Sequence, residues 1–299
     1  MAAKSKNTNQ ATEAAKKSVL AQTEDKTTQL TLTIPNTLVQ TKKEEALVSL
    51  AEKLNIPGFR KGKAPRELTE KRINKQDLYN EMLSHLLPEV YAEAVEEHQL
   101  RPVLAPRFEI LSISEGNDWT VRAITCELPA VEVGDYKSFV KGYLQTAKIW
   151  TPSKDGEQDK KEPSLEEKEQ KILEAIIKNT KSQIPNVLIE EEVNHKLSRL
   201  LDQTQKLGLT VEQYLASTGK TIEGLRAELT QQAREAIMLE LALNKIADEE
   251  KISVDETEIN QIIRASGSEE QAQNATPQQK AMIANVIKRR KAIDRLVNI

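Results

Sequence analysis

The chain is poor in the residues that staple, ligate or form enclosed pockets. Its 299 residues include one cysteine, Cys126, and three histidines, His85, His98 and His195. A single thiol cannot close an intramolecular disulfide, which excludes a disulfide framework. These four residues lie far apart in sequence without metal-ligand spacing, so no metal and no cofactor is expected. Aromatic residues make up 3% of the chain; nine of the ten precede residue 151 and Tyr214 alone follows it. Drug-sized ligand pockets usually carry aromatic walls, so a small-molecule site in the second half is not expected. Gly58 and Gly62 have neither the spacing nor the downstream Lys-Ser/Thr of a P-loop, and no Gly-x-Ser-x-Gly elbow occurs. No run approaches about 18 apolar residues, so no membrane span and no membrane partner is expected. Residues 1–26 are polar and lack an apolar core, so no secretory signal is expected and the chain reads as soluble and cytoplasmic.

What is abundant is aliphatic and charged: 38% hydrophobic and 30% charged residues, dominated by Ala, Leu, Ile, Glu and Lys. Against averages of about 45–50% apolar and about 25% charged, this describes a thin core under a large wetted surface, as helices provide. The length predicts about two domains. A net charge of −3 hides a local excess: Gly58 to Lys75 carries seven positive residues against Glu67 and Glu70. Such a cluster either attracts RNA or an acidic protein surface or is a solvated helix face. A second basic run, Lys288-Arg289-Arg290-Lys291 with Arg295, alternates with Ile287, Ile293 and Leu296, as the polar face of an amphipathic last helix would. Helix-dipole and solubility roles account for it at this level. The acidic clusters Glu166-Glu167-Glu169 and Glu190-Glu191-Glu192 sit beside helix starts, where compensation of the dipole explains them better than hydrolytic chemistry. No catalytic residues are assigned.

The pattern along the chain gives an α+β architecture in five parts. Residues 1–27 read as a disordered tail. Leu30, Leu32 and Ile34 alternate with Thr31 and Thr33, a half-buried strand ending at Pro35-Asn36. Helices are predicted at about 42–54, 66–73 and 76–97, with Pro88 a kink point in the last. Two strands, 108–114 and 119–128, flank the turn Glu115-Gly116-Asn117-Asp118, so 28–128 forms a β-α-α-β-β domain. Residues 129–150 read as an extended segment packing on the helical domain, and 151–162, without one apolar residue, as a polar linker. Residues 163–299 read as an elongated, mostly helical domain with arms. Capping boxes at Ser164/Glu167, Thr210/Gln213 and Ser253/Glu256 mark helix starts, Pro185 separates two helices, and 267–280 reads as a loop.

One segment is specific: Asn-Ile-Pro-Gly-Phe-Arg-Lys-Gly-Lys-Ala-Pro, residues 55–65. Pro57 and Gly58 make a turn, Gly62 permits a second, and Pro65 suits the first turn of a helix. Phe59, Arg60 and Lys61 are thereby presented at a loop tip between helices. An exposed aromatic beside two cations is a docking element, in which Phe fills a pocket and the cations meet phosphates or carboxylates; the alternative is a Phe folded back as a hydrophobic staple. Gly58, Phe59, Arg60, Gly62 and Pro65 match every position of Gly-Phe-Arg-x-Gly-x-x-Pro, and the segment resembles the signature of trigger factor, a family of ribosome-associated bacterial chaperones. The resemblance extends over about 28–128, and Ile184-Pro185-Asn186-Val187-Leu188-Ile189 is similar to a turn of that family's C-terminal domain.

The resemblance implies a ribosome-binding domain at 28–128 and a chaperone domain at 163–299. It implies that Gly58, Phe59, Arg60, Lys61, Gly62, Lys63 and Pro65 form the loop that meets protein and ribosomal RNA of the large subunit at the exit tunnel. It further implies nascent or unfolded polypeptides as partners, no cofactor and no ATP, with a homodimer off the ribosome as a further expectation. Leu207, Leu209, Tyr214, Leu215, Met238, Met282 and Ile283 are the candidate client-lining residues, each also a candidate for the core. The sequence departs from the family in one respect. Its members insert a prolyl isomerase domain of the FK506-binding type, and the space at about 145–163 is too short for a domain of at least ~50 residues. The expectation is a variant without that domain and not an enzyme. The alternatives are a folding helper that retains prolyl isomerase activity and a ribosome- or RNA-binding module without clients.

Overall fold

The computed structural model describes residues 17–53, 72–146, 164–266 and 275–298. These divide into two compact units, one ending at Leu128 and the other beginning at Pro129. No helix among the described residues is long and apolar enough to cross a membrane.

The first unit is an antiparallel sheet with two helices. Its elements are β1 (Ser18–Gln22), β2 (Thr28–Ile34), α1 (Asn36–Lys53), α2 (Lys75–Glu97), β3 (Arg107–Ser112) and β4 (Trp119–Thr125), with strand order β1-β2-β4-β3. The alternation in β2 places Leu30, Leu32 and Ile34 on one face, where they bury completely with Val121 and Ala123 of β4. Val39 and Ala46 of α1 and Met82, Leu86, Val90 and Ala94 of α2 cover that face, giving one core. α2 is a single helix that runs through Pro88, capped by Asn74, whose side chain accepts from the Gln76 amide at 3.0 Å.

β1 corrects the expectation of a disordered tail through residue 27, because Ser18–Gln22 pairs in register with Thr28–Leu32. The strand is short and its far side is wet, so its alternation is weak in the sequence. The turn is set by Asp25, which accepts from the Thr27 amide at 3.3 Å and hydroxyl at 2.9 Å, and by Lys26 at φ 67°. Residues 1–16 lie outside the described residues.

The second unit contains β5 (Val131–Glu132), α3 (Tyr136–Thr146), α4 (Leu165–Asn179), β6 (Lys181–Ser182), α5 (Asn186–Lys206), α6 (Val211–Thr218), α7 (Ile222–Glu249), α8 (Glu256–Ser266) and α9 (Pro277–Val297). β5 pairs antiparallel with β6. The 28-residue α7 is the spine, about 42 Å long at 1.5 Å per residue. Its first half packs Leu225, Leu229 and Ala233 against Ile184, Ile189, Val193 and Leu215. Its second half packs Ala242, Leu243, Ile246 and Ala247 against Val133, Tyr136, Val140, Ile172, Ile176, Ala292 and Leu296. A third, smaller cluster joins Ile259 and Ile263 of α8 to Ile287 of α9.

Three expectations change here. Residues 129–150 are not extended throughout: after β5, Tyr136 and Val140 one turn apart bury a helical face, and Asp135 accepts from the Ser138 amide at 3.2 Å to start α3. The segment 267–280 is not wholly a loop, because Thr276 and Gln279 form a capping box and Pro277 occupies the first turn of α9. The start of α8 is marked by the Asp255 amide donating to Glu258 at 3.1 Å rather than by Ser253 with Glu256. The boxes at Ser164/Glu167 and Thr210/Gln213 are both formed. The helix expected at 66–73 lies largely outside the described residues, and Arg72 and Ile73 are in a turn and bend.

Candidate functional surfaces

Gly58, Phe59, Arg60, Lys61, Gly62, Lys63 and Pro65 lie outside the described residues, between the end of α1 at Lys53 and Arg72. The described residues on either side of this stretch lead into α1 and α2, which are bonded to each other. Glu81 of α2 accepts from Lys53 Nζ at 2.8 Å and from Ser49 Oγ at 2.6 Å, tying the last turn of α1 to the first half of α2. The hydrogen bond from Lys53, followed by that from Ser49, holds the Glu81 carboxyl below its ordinary range. Beside these bonds Leu47, Leu78, Tyr79, Met82 and Trp119 line a cleft of about 350 Å³, in which the Tyr79 and Trp119 rings lie 6.0 Å apart.

The candidate client-lining residues divide by environment. Leu207 is 75% exposed, Leu209 42% and Met282 71%. Tyr214, Met238 and Ile283 are half-buried. Leu215 is a correction: it is buried in the core of the α5–α7 half, where α6 turns it inward, and it cannot line an open surface. Leu201, Ile222 and Val286, which the sequence did not single out as candidates, are exposed as well. Ile222 opens α7 immediately after its Thr221 cap, a position where an apolar residue points to solvent without disturbing the stripe behind it. Leu207 and Leu209 flank Gly208 at φ 70°, which reverses the chain after α5. These side chains are aliphatic.

Members of the acidic clusters and of the C-terminal basic run have structural partners. Glu167 completes the cap of α4, and Glu169 holds Arg290 through two bonds of 2.8 and 3.1 Å. Glu192 lies one turn from Lys196 on α5, and His195 is exposed. The basic run of α9 does more than complement a dipole. Lys288 pairs with Asp248 and Arg289 with Glu240, both on α7; Lys291 reaches Glu258 of α8 at 2.7 Å, and Arg295 reaches Glu250 at 3.1 Å. α9 is therefore strapped by charge to three other helices. Glu250 is a junction: it also accepts from Tyr136 Oη at 2.8 Å and pairs with Lys137 at 2.6 Å. Lys137 first, then Tyr136, holds its carboxyl below the ordinary range, while burial and the bond to Glu250 push the Tyr136 hydroxyl up. Cys126 is buried and its thiol is pushed up to about 11, mainly by desolvation, so it is no nucleophile at neutral pH. Among the described residues no three His, Cys, Asp or Glu side chains converge as metal ligands would.

The described residues thus form an α+β unit and a helical unit built on one long spine with dispersed exposed aliphatic side chains. The profile of the bacterial trigger factor protein (TF) matches residues 16–148, and that of the bacterial trigger factor protein (TF) C-terminus matches residues 152–298. Curated relatives include a trigger factor of Staphylococcus epidermidis, 39% identical over 108 residues, which is 36% of this chain and 25% of the relative. A trigger factor of Staphylococcus aureus is 37% identical over the same length. The aligned stretch thus spans about a quarter of these relatives' length. A solved structure of a trigger factor chaperone, described for promiscuous substrate recognition in folding and assembly activities, has the same fold, with a TM-score of 0.62 and 14% identity over 94% of this chain and 99% of that one. The chain belongs to the trigger factor family, whose role is that of a chaperone. Only residues 149–151 separate the two matches, and no prolyl isomerase domain is found between them.

Proposed function

We propose that this protein is an ATP-independent chaperone that binds the large ribosomal subunit at the exit tunnel and shields nascent or unfolded polypeptides in the cytoplasm. The observation that carries the reading is the set of exposed aliphatic side chains on the helical unit, among them Leu207, Leu209, Ile222, Met282 and Val286. Exposed singly along helix ends and faces, they offer many weak contacts and no enclosed site. Such contacts favour any segment that still has apolar surface to bury, and lose their hold once that segment has buried it within its own fold. Met adds a side chain that repacks against different partners. Anchoring falls to the loop Gly58–Pro65, whose Phe59 and Arg60 match the family signature and, with Lys61, suit a mixed surface of protein and RNA. The reading leaves out prolyl isomerase activity; what supports this is that only residues 149–151 lie between the two matched regions.

The test is co-sedimentation with bacterial ribosomes at two salt concentrations, comparing the wild type with a Phe59→Ala/Arg60→Ala/Lys61→Ala variant. Binding that weakens with salt and is lost in the variant supports the anchor. If wild type and variant stay together in the supernatant, or pellet together, the anchor is refuted. A prolyl isomerisation assay with a short Xaa-Pro peptide is expected to show the uncatalysed rate; acceleration would establish the folding-catalyst alternative.

A further inference from the structure

The cleft of the first unit has no part in the function proposed above. Its volume of about 350 Å³ falls within the roughly 300–1,000 Å³ of small-molecule pockets, and the residues that line it are all described. It opens between the first half of α1, the first half of α2 and the turn at Glu115-Gly116. Leu47, Met82 and Trp119 are buried and form its floor, while the half-buried Leu78 and Tyr79 form its wall.

The two rings in it do not satisfy each other. Tyr79 and Trp119 lie 6.0 Å apart with their planes inclined at 44°, which is neither the offset stack nor the edge-to-face contact that aromatic pairs prefer. In the same unit Tyr91 and Phe108, at the same separation, meet at 88° and complete an edge-to-face pair. The Trp119 indole N–H is already used, donating to the Ser114 carbonyl at 3.2 Å, so what Trp119 offers the cleft is ring surface. A third, flat ring suits such a pair.

The rim adds a sign of charge. Lys43 is paired with Glu115 at 3.3 Å, and Glu44 has a partner of its own. The Lys75 ammonium, exposed at the first residue of α2, makes no ion pair or hydrogen bond among the described residues. One positive charge at the mouth of the cleft is therefore left uncompensated.

We propose that this cleft is a binding site for a small aromatic carboxylate, its ring held by Leu78, Tyr79, Met82 and Trp119 and its carboxylate at the rim facing Lys75. The occupant is a small molecule because the cleft takes one ring and a short side chain, far less than the roughly 800 Å² per partner of a stable protein–protein interface. It carries a single negative charge because the rim has one cation to spare. Such a site needs neither ribosome nor client, so it stands or falls apart from the chaperone reading.

The test is a titration of 3-phenylpropionate, one ring and one carboxylate, into the isotope-labelled full chain. It is read by NMR at the Trp119 indole N–H, with Trp150→Phe assigning the two indole signals of the chain. A saturable shift is expected, with a dissociation constant of about 0.1–1 mM, the strength that so small a ligand reaches. 3-Phenylpropanol, the uncharged counterpart, should bind about 2–5-fold more weakly, the contribution of an exposed ion pair. Lys75→Gln, a substitution of an exposed side chain, should weaken the carboxylate by that factor and leave the alcohol unchanged. Tyr79→Ala should weaken both at least about 10-fold. The site is overturned if the Trp119 signal shows no saturable shift up to about 10 mM, or if the amides that move lie in the helical unit instead of around residues 39–47, 75–82 and 115–119. The carboxylate is overturned as the ligand class if the alcohol binds as tightly, or if Lys75→Gln leaves both affinities as they were.

Discussion

Leu207 and Leu215 lie eight residues apart, and the structure gives them opposite fates. Leu207 is 75% exposed at the end of α5; Leu215 is 8% exposed and packed among Ile189, Val193, Leu225 and Leu229. Fully burying a leucine side chain stabilises by about 1.5–3 kcal/mol. Three quarters of that, made available to a bound polypeptide, is about 1–2 kcal/mol, or roughly a 5–30-fold change in affinity. Leu207→Ala should therefore weaken client binding by up to that factor and leave the melting temperature nearly unchanged, since surface substitutions usually fall within about 0.5 kcal/mol. Leu215→Ala should do the reverse at the level of stability. It removes a buried side chain and leaves a cavity, at a cost of about 2–5 kcal/mol. The assays are urea unfolding followed by circular dichroism and a titration of the unfolded client against each variant. A Leu207→Ala protein that unfolds at markedly lower urea, or that binds client as tightly as the wild type while Leu215→Ala retains full stability, would refute the assignment of one residue to the surface and the other to the core.

Acidification gives a second prediction. Glu81, Glu250 and Glu258 are held below their ordinary value of 4.5 by hydrogen bonds from Lys53, Lys137 and Lys291 respectively. Groups with depressed folded values contribute stability that is present above the unfolded value and lost as pH falls through the folded one. Stability should hold from neutral pH to about 4.5 and fall below it, and Glu250→Gln should flatten that fall in a series of urea titrations at different pH. The Arg289–Glu240 and Arg290–Glu169 straps on α9 are exposed pairs, so added salt should lower the melting temperature of the wild type more than that of a variant carrying Glu169→Gln and Glu240→Gln. Cys126 should not react with a thiol reagent at pH 8 in the native protein and should react at once in urea, because a buried thiol with a value near 11 is neutral there. Replacing Thr276 with Ala removes the side chain that accepts from Gln279 and should cost about 1 kcal/mol, read by thermal unfolding.

The local grammar of the sequence carried much of the fold. Leu30, Leu32 and Ile34 announce a strand with one buried face, and Ser164/Glu167 and Thr210/Gln213 announce helix starts, because alternation and capping involve residues a few positions apart. The α+β class and the helical second half follow from such signals, and five residues of the Gly58–Pro65 segment pointed to the family. The weak signals failed where regularity was short or diluted. β1 holds five residues with a wet far side, and α3 buries Tyr136 and Val140 while Phe139 between them stays exposed.

Two kinds of fact were decided only by the tertiary structure. One is which aliphatic side chain faces in: Leu207, Leu209 and Leu215 have the same chemistry in the sequence, and the reversal at Gly208 and the packing of α6 onto α5 and α7 divide them. The other is what the charges are for. Lys288, Arg289, Lys291 and Arg295 read as the polar side of a helix, yet their partners Asp248, Glu240, Glu258 and Glu250 lie 33 to 49 residues away. Helical periodicity is a property of one segment and can be read from it. An ion pair between segments depends on where the chain returns, and that is set by the packing of α9 against α7 and α8.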